Sequence, residues 1–285
     1  MTAAGEMGNV RAGRWGASLT EGDLDFLIRE VAPNYGDTEQ LKRLIVGDRD
    51  FRSAFVGHER VFRRVMADEE VLLKISPFLY FEVLLRQALK QMERAGHTLE
   101  RAGTGEIPVF DAGDVVRLVS EQSILEYLAG MLSSFTRTES RVLPVRVAKG
   151  VWRRVRFSDM DVDSLLRLCQ MSEGERRFSY YKRIADLCLF ITGIFPEYTY
   201  FDYRYPVAES VRAPVRAGRR GLQEYEELGS TFYHLAAGTD SARRLELADV
   251  FRSLCENFTA AKKPLNFISR YYLRHRKERF FGSAA

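Results

Sequence analysis

Along most of the chain apolar residues recur every three to four positions, the spacing of one helix face. In "SLTEGDLDFLIREV" the series Leu24, Leu27, Ile28 and Val31 follows Thr20, a natural N-cap residue, and a pair of early acids. Asp37 caps a second helix running through Ile45, and "DFRSAFVG", "ERVFRRVMA" and "EVLLKI" predict short helices after it. The sharpest boundaries belong to "SPFLYFEVLLRQALKQMERAG". Ser76 serves as N-cap, Pro77 suits the first helical position, and Gly96 ends the helix, which predicts Pro77–Ala95. Further helices are predicted at 121–135, in "VDSLLRLCQM", at 173–194, over Leu222–Ala237, at 241–261, and from Pro264 onward.

One segment alternates with period two. "VLPVRVAKGVWRRVRF" sets Leu143, Val145 and Val147 on one face, turns at "AKG", and returns with Val151, Val155 and Phe157 on one face. This predicts a β-hairpin at about 142–157. "HTLERAGTGEIPVFDAGD" reads as a loop with a short strand near its end, after which Asp111 or Asp114 caps the next helix. Residues 1–17 are small and Gly-rich and are expected to be disordered; "DYRYPVAESVRAPVRAGRRG" reads as a linker. The predicted fold is mainly α: a single helical bundle over 18–273 with one hairpin insertion, followed by a basic tail at 274–285.

The helix at 173–194 is predicted to be the centre of the bundle. Its stretch 184–195 carries one charge, Asp186, and is apolar on nearly every face, as buried helices are. It is too short and too polar at its ends for a membrane span, which needs about 20 apolar residues. Gly193, and Gly229 in the later helix, suggest close backbone approach between neighbouring helices. Asp186 requires partners in such surroundings, and Tyr225, Tyr233, Lys182, Arg183 or a linker arginine are the candidates.

The stretches "RIADLCLFITGIFPEY", "LQEYEELGSTFYHLAA" and "LADVFRSLCENFTAAKKPLNFIS", with "LEYLAGMLSSFTRTES" and "FSDMDVDSLLRL", resemble a family of all-helical bacterial proteins of uncharacterised activity. The resemblance covers most of 78–273. It implies a single helical fold, with Asp186, Gly193, Glu197, Tyr225, Gly229 and Tyr233 at matching positions, and no activity to transfer. The Tyr-rich "YTYFDYRYP" departs from it.

Composition narrows the chemistry. Three cysteines lie in apolar helical settings with no CxxC spacing, which suits free thiols in a cytoplasmic protein. Four scattered histidines, no HExxH and no cysteine cluster argue against a metal; His97 and Glu100 sit in a glycine-rich loop. No phosphate-binding glycine loop and no nucleophile motif occur, so neither a cofactor nor a catalytic residue is expected. The net charge of +4 is mild, but basic residues gather in two places with aromatics between them. Arg153, Arg154 and Arg156 lie in the hairpin; Arg274, Arg276 and Lys277 lie in the tail. The expected function is binding of another protein or of a second copy, without catalysis. One alternative is nucleic-acid binding through the hairpin and tail arginines. The other is an enzyme or small-ligand binder using Asp186, Tyr225, Tyr233 and Glu197. The aromatic run Tyr198, Tyr200, Phe201, Tyr203 and Tyr205 is read as a lid over the core.

Overall fold

The chain builds its first layer from four short helices, α1 (Glu21–Val31), α2 (Thr38–Gly47), α3 (Arg49–Val56) and α4 (Glu59–Ala67). The computed structural model describes residues 18–102, 105–137, 140–148, 151–199 and 220–282. For 101–102, 140–148 and 151–157 it describes the backbone alone. The N-terminal residues 1–17, most of the linker, the "AKG" turn beyond Ala148, and Tyr200, Phe201, Tyr203 and Tyr205 lie outside the described residues.

Thr20 caps α1 as expected, in a reciprocal box with Asp23: Asp23 N donates to Thr20 Oγ1 (3.2 Å) and Thr20 N to Asp23 Oδ2 (2.8 Å). Asp23 is fully buried and also accepts from Ser76 N and Ser76 Oγ, both at 2.7 Å. Ser76 in turn caps α5 (Pro77–Ala95), so one carboxylate ties two helix starts together. "EVLLKI" forms only a 3-10 turn, Val71–Leu73, because Ser76 and Pro77 claim the following residues for α5. Gly96 closes α5 in the left-handed region at φ 70°, the geometry for which glycine carries no side-chain penalty.

The loop expected after α5 is a second hairpin, β1 (Thr98–Ala102) paired antiparallel with β2 (Gly105–Val109), Thr98 opposite Val109. It leads into α6 (Ala112–Val119) and α7 (Gln122–Ser134). The expected hairpin follows as β3 (Ser140–Ala148) and β4 (Val151–Ser158), antiparallel with a register shift between Arg146 and Ala148. Then come α8 (Val162–Gln170), α9 (Glu175–Ile194) and a 3-10 turn, Pro196–Thr199. The chain is described again through α10 (Leu222–Ala237), α11 (Asp240–Arg244), α12 (Ala248–Glu256), α13 (Phe258–Tyr271) and α14 (Lys277–Phe281). The protein is thus mainly α, with small antiparallel β-hairpins.

The helix expected at 241–261 is broken twice. At Glu246 the backbone enters the left-handed region (φ 56°), with Leu247 N bonded to Ala242 O (2.8 Å) and Glu246 N to Arg243 O (3.1 Å). That paired bond pattern is a helix stop normally built on glycine; here it turns Leu247 into the core. A second break at Asn257 starts α13, and Pro264 falls inside that helix instead of at its start.

Every residue of α9 from Ile184 to Ile194 is buried. α9 packs on α10, α13 and α8, and Phe135, just after α7, stacks on Phe190 at 4.2 Å. The two glycines serve different crossings. A Cβ on Gly193 would meet Leu265 Cβ of α13 at 2.6 Å, and a Cβ on Gly229 would meet Cys188 Cβ of α9 at 2.9 Å, with the Phe258 ring closer still. The carbonyls left over at the end of α9 are satisfied from α13. Asn266 Nδ2 donates to Thr192 O and Gly193 O (both 2.8 Å), and Ser269 Oγ to Ile194 O (2.7 Å). No helix among the described residues is long and apolar enough to cross a membrane.

Candidate functional site

Asp186 is fully buried and receives three donors from three helices. Lys182, one turn earlier on α9, donates Nζ to Oδ2 at 2.6 Å. Tyr233 of α10 donates to Oδ1 at 2.9 Å, and Tyr127 of α7 donates to the same oxygen. The Lys182 ammonium also sits 5.1 Å from the Tyr127 ring centre, a favourable cation–π placement. Burial, and then the Asp186 charge, raise both phenols well above the ordinary tyrosine value, which keeps them protonated as donors.

Of the four residues expected to form a ligand site, the structure brings Asp186 and Tyr233 together. Tyr225 is buried lower on α10, beside Cys188 and Arg220, and burial pushes its phenol up to about 12. Glu197 lies on the 3-10 turn and accepts from Lys277 Nζ at 3.1 Å. Tyr127 was missed by the sequence reading, because it sits 59 residues from its partner in a helix whose pattern is simply apolar.

A second buried carboxylate also escaped notice. Glu82 of α5 accepts from Arg52 (Nε 3.2 Å, Nη2 2.6 Å) and from Arg86 (Nε 3.1 Å, Nη2 2.9 Å). Arg52 continues to Glu126 at 2.9 Å, and Arg86 to Ser53 (2.8 Å) and Gln122 (2.7 Å), so the network joins α3, α5 and α7. Its signal in the sequence was a lone acid inside "FLYFEVLL".

The third grouping borders open space. Lys263 of α13 is only 6% exposed and pairs with Glu100 and Asp111, while Thr98 Oγ1 donates to Asp111 Oδ1 at 2.6 Å. Asp111 therefore precedes α6 without capping it through its side chain. Burial works to raise Asp111, yet the donors Lys263 and Thr98 outweigh it and hold the carboxyl below its usual value. Above Lys263 opens a cleft of about 750 Å³ between β1–β2, α6, α10 and the α12–α13 junction. Its carboxylates are Glu100, Asp111, Asp114, Glu226, Glu227 and Glu256. Lys263 pairs with the first two, Arg117 with Asp114 and Lys262 with Glu226. Glu227 and Glu256 are exposed and form no ion pair among the described residues. On the adjoining hairpin Leu99, Ile107 and Phe110 are exposed, Phe110 by 84%.

His97 rests its Nδ1 against Ala95 O (2.9 Å), apart from Glu100 at Lys263, and no group of three or more metal-ligating side chains gathers among the described residues. Arg153, Arg154 and Arg156 lie on β4 opposite Val145, Pro144 and Val142, with their side chains outside the described set. Arg274 is exposed, whereas Arg276 donates to Met66 O (2.7 Å) and Lys277 to Glu197. Residues 277–281 form α14, with Phe280 buried, so the segment read as a tail is docked on the core through residue 282. Comparison with protein-family models, curated proteins and solved structures gives no match to the chain.

Proposed function

We propose that this protein acts by binding another protein, without catalysis, through the face formed by the β1–β2 hairpin and its acid-lined cleft. The observation that carries the reading is the exposure of Leu99, Ile107 and Phe110 along a short hairpin whose Glu100 lines the cleft that also holds the exposed Glu227 and Glu256. Large apolar side chains left in water on a hairpin that borders an acid-lined cleft suit a partner segment that offers apolar and basic residues together. Asp186 supports the non-catalytic part: it is fully buried, both its oxygens are engaged by Lys182, Tyr127 and Tyr233, and none of these four residues lines the cleft. The three unpaired thiols suit a cytoplasmic setting. Nucleic-acid binding is the weaker reading, since Arg276 and Lys277 are engaged in holding α14.

The test is carboxyl-selective cross-linking of the full chain in extract of its native cells, followed by purification. Cross-links to one protein at Glu227 and Glu256, lost in a Phe110→Ser variant of unchanged thermal stability, are the expected result. Retention of the same partner by Phe110→Ser, or co-purification of a salt-labile oligonucleotide in its place, would overturn the reading.

A further inference from the structure

A two-stranded hairpin is marginal in water unless it lays an apolar face on other structure. β1–β2 lays down none. Leu99, Ile107 and Phe110 are exposed, and the half-buried Val109 packs against no part of the apolar core. What holds the hairpin among the described residues is polar and comes from one helix. Lys263 and Arg270 of α13 stand seven residues apart, which is two turns, and so share a helix face. Lys263 pairs with Glu100 of β1 and with Asp111, and Arg270 Nη1 donates to both carboxylate oxygens of Glu106 of β2.

The two attachments differ in their access to water. At the root of the hairpin Thr98 and Lys263 are buried, and both donate to Asp111, just ahead of α6. Were Glu100 to move away, Lys263 would still have Asp111 as its counter-charge, so opening would strand no buried cation. Farther out, the side chains of Arg270 and Glu106 are 46% and 41% exposed. A pair this wet is weak and is screened by salt. Gly96, which leads into β1, has the left-handed φ that glycine adopts freely, and a Cβ there would meet nothing within 4 Å. The root is thus buried and bonded, while the outer end depends on one exposed ion pair.

We propose that β1–β2 is a hinged arm, rooted at Thr98, Asp111 and Lys263 and latched along α13 by Glu106 and Arg270, that swings out when the latch is broken. Its use rests on the reading of the hairpin as the partner-binding face. A basic residue of the partner that takes Glu106 from Arg270 releases the arm as it binds, and Leu99 and Ile107 move with it.

The experiment measures the distance between nitroxide labels at Ile107→Cys and Arg252→Cys in the full chain by double electron–electron resonance. Cys255→Ser removes the part-exposed thiol, and the buried Cys169 and Cys188 stay in place. One short distance should dominate at low salt, and a second, longer one should grow at about 1 M salt, where the screening length is about 3 Å. Arg270→Gln should raise the longer population about fivefold at low salt, the equivalent of one exposed ion pair, without moving the thermal midpoint. The charge exchange Glu106→Arg with Arg270→Glu should bring the short distance back, a rescue that a general loosening of the fold would not give. A distance unmoved by salt and by Arg270→Gln would overturn the proposal. Loss of amide protection across β1–β2 in Arg270→Gln would overturn it too, since the hairpin would then melt instead of swing. No partner enters the measurement, so a fixed hairpin leaves the partner reading standing, and a partner that fails to cross-link leaves the hinge standing.

Discussion

Tyr127 and Tyr233 share one oxygen of Asp186, and the consequence is a defined alkaline limit for the fold. In the unfolded chain each phenol ionises near 10.0. In the folded chain burial and the Asp186 charge place both well above that value. Stability is therefore complete below pH 10. It falls as the pH rises from there toward the folded-state values, because the unfolded chain releases protons the folded chain keeps. Phenolate absorbance from these tyrosines should appear together with loss of helical circular dichroism, and Tyr127→Phe or Tyr233→Phe should make the loss shallower. Early phenolate signal equal to all thirteen tyrosines with intact helix would show the cluster to be open to water. In the same assay Asp186→Asn should cost about 3 kcal/mol at neutral pH, since it leaves the Lys182 ammonium facing an amide. The low end of the buried-pair range applies because the Lys182 side chain is 32% exposed. The need of Asp186 for partners could be read from its apolar neighbours, and Lys182 and Tyr233 were among the candidates. Which of them converge depends on the crossing of three helices, and that information is not local.

At the scale of elements, local chemistry decides what the sequence reveals. α5 matches its expected limits because Ser76, Pro77 and Gly96 each act on their own neighbours. The break in 241–261 was hidden because a glutamate takes the left-handed position where glycine is the usual sign, and the benefit is the burial of Leu247. Of the β1–β2 hairpin only a short strand at 107–110 was read, close to β2, and the rest was read as loop, because the strands are short and their pattern weak. Glycines fall between these cases: their presence in α9 and α10 signalled close crossings, but not which helices cross. Gly193→Ala tests the crossing of α9 and α13. Alanine gains about 1 kcal/mol of helix propensity at an exposed site. Here its Cβ would fall 2.6 Å from Leu265 Cβ, which forces the helices apart, and overpacking costs about 1–3 kcal/mol. The net expectation is destabilisation, seen as a lower midpoint in denaturant. Combining it with Leu265→Ala should cost less than the sum of the two single changes. Simple additivity would mean that the helices do not meet at this pair.

For the molecule as a whole, the question is what makes α1–α4 unfold with the remaining helices. Two buried acids do the joining. Asp23 binds the start of α1 to the start of α5, and Glu82 gathers Arg52 from α3 and Arg86 from α5 beside Gln122 and Glu126 of α7. Both couplings span residues far apart in sequence, 53 and 30 positions, so periodicity could not disclose them. A charge inside an apolar run, as in "FLYFEVLL", says only that partners must exist. Glu82→Gln keeps the shape but takes the counter-charge from Arg86 and leaves Arg52 with Glu126 alone, both guanidinium groups being less than one-sixth exposed. The expected cost is about 3–5 kcal/mol, the range for breaking a buried pair by removing one partner. The loss should fall on the joint. Calorimetry of the unaltered protein should show one transition, and Glu82→Gln should shift and broaden it. Amide exchange in α1–α4 should then run ahead of exchange in α5, α7 and α9. If those seven helices still exchange together in Glu82→Gln, apolar packing alone unites the layers, and the arginine network only satisfies a charge that the core happens to enclose.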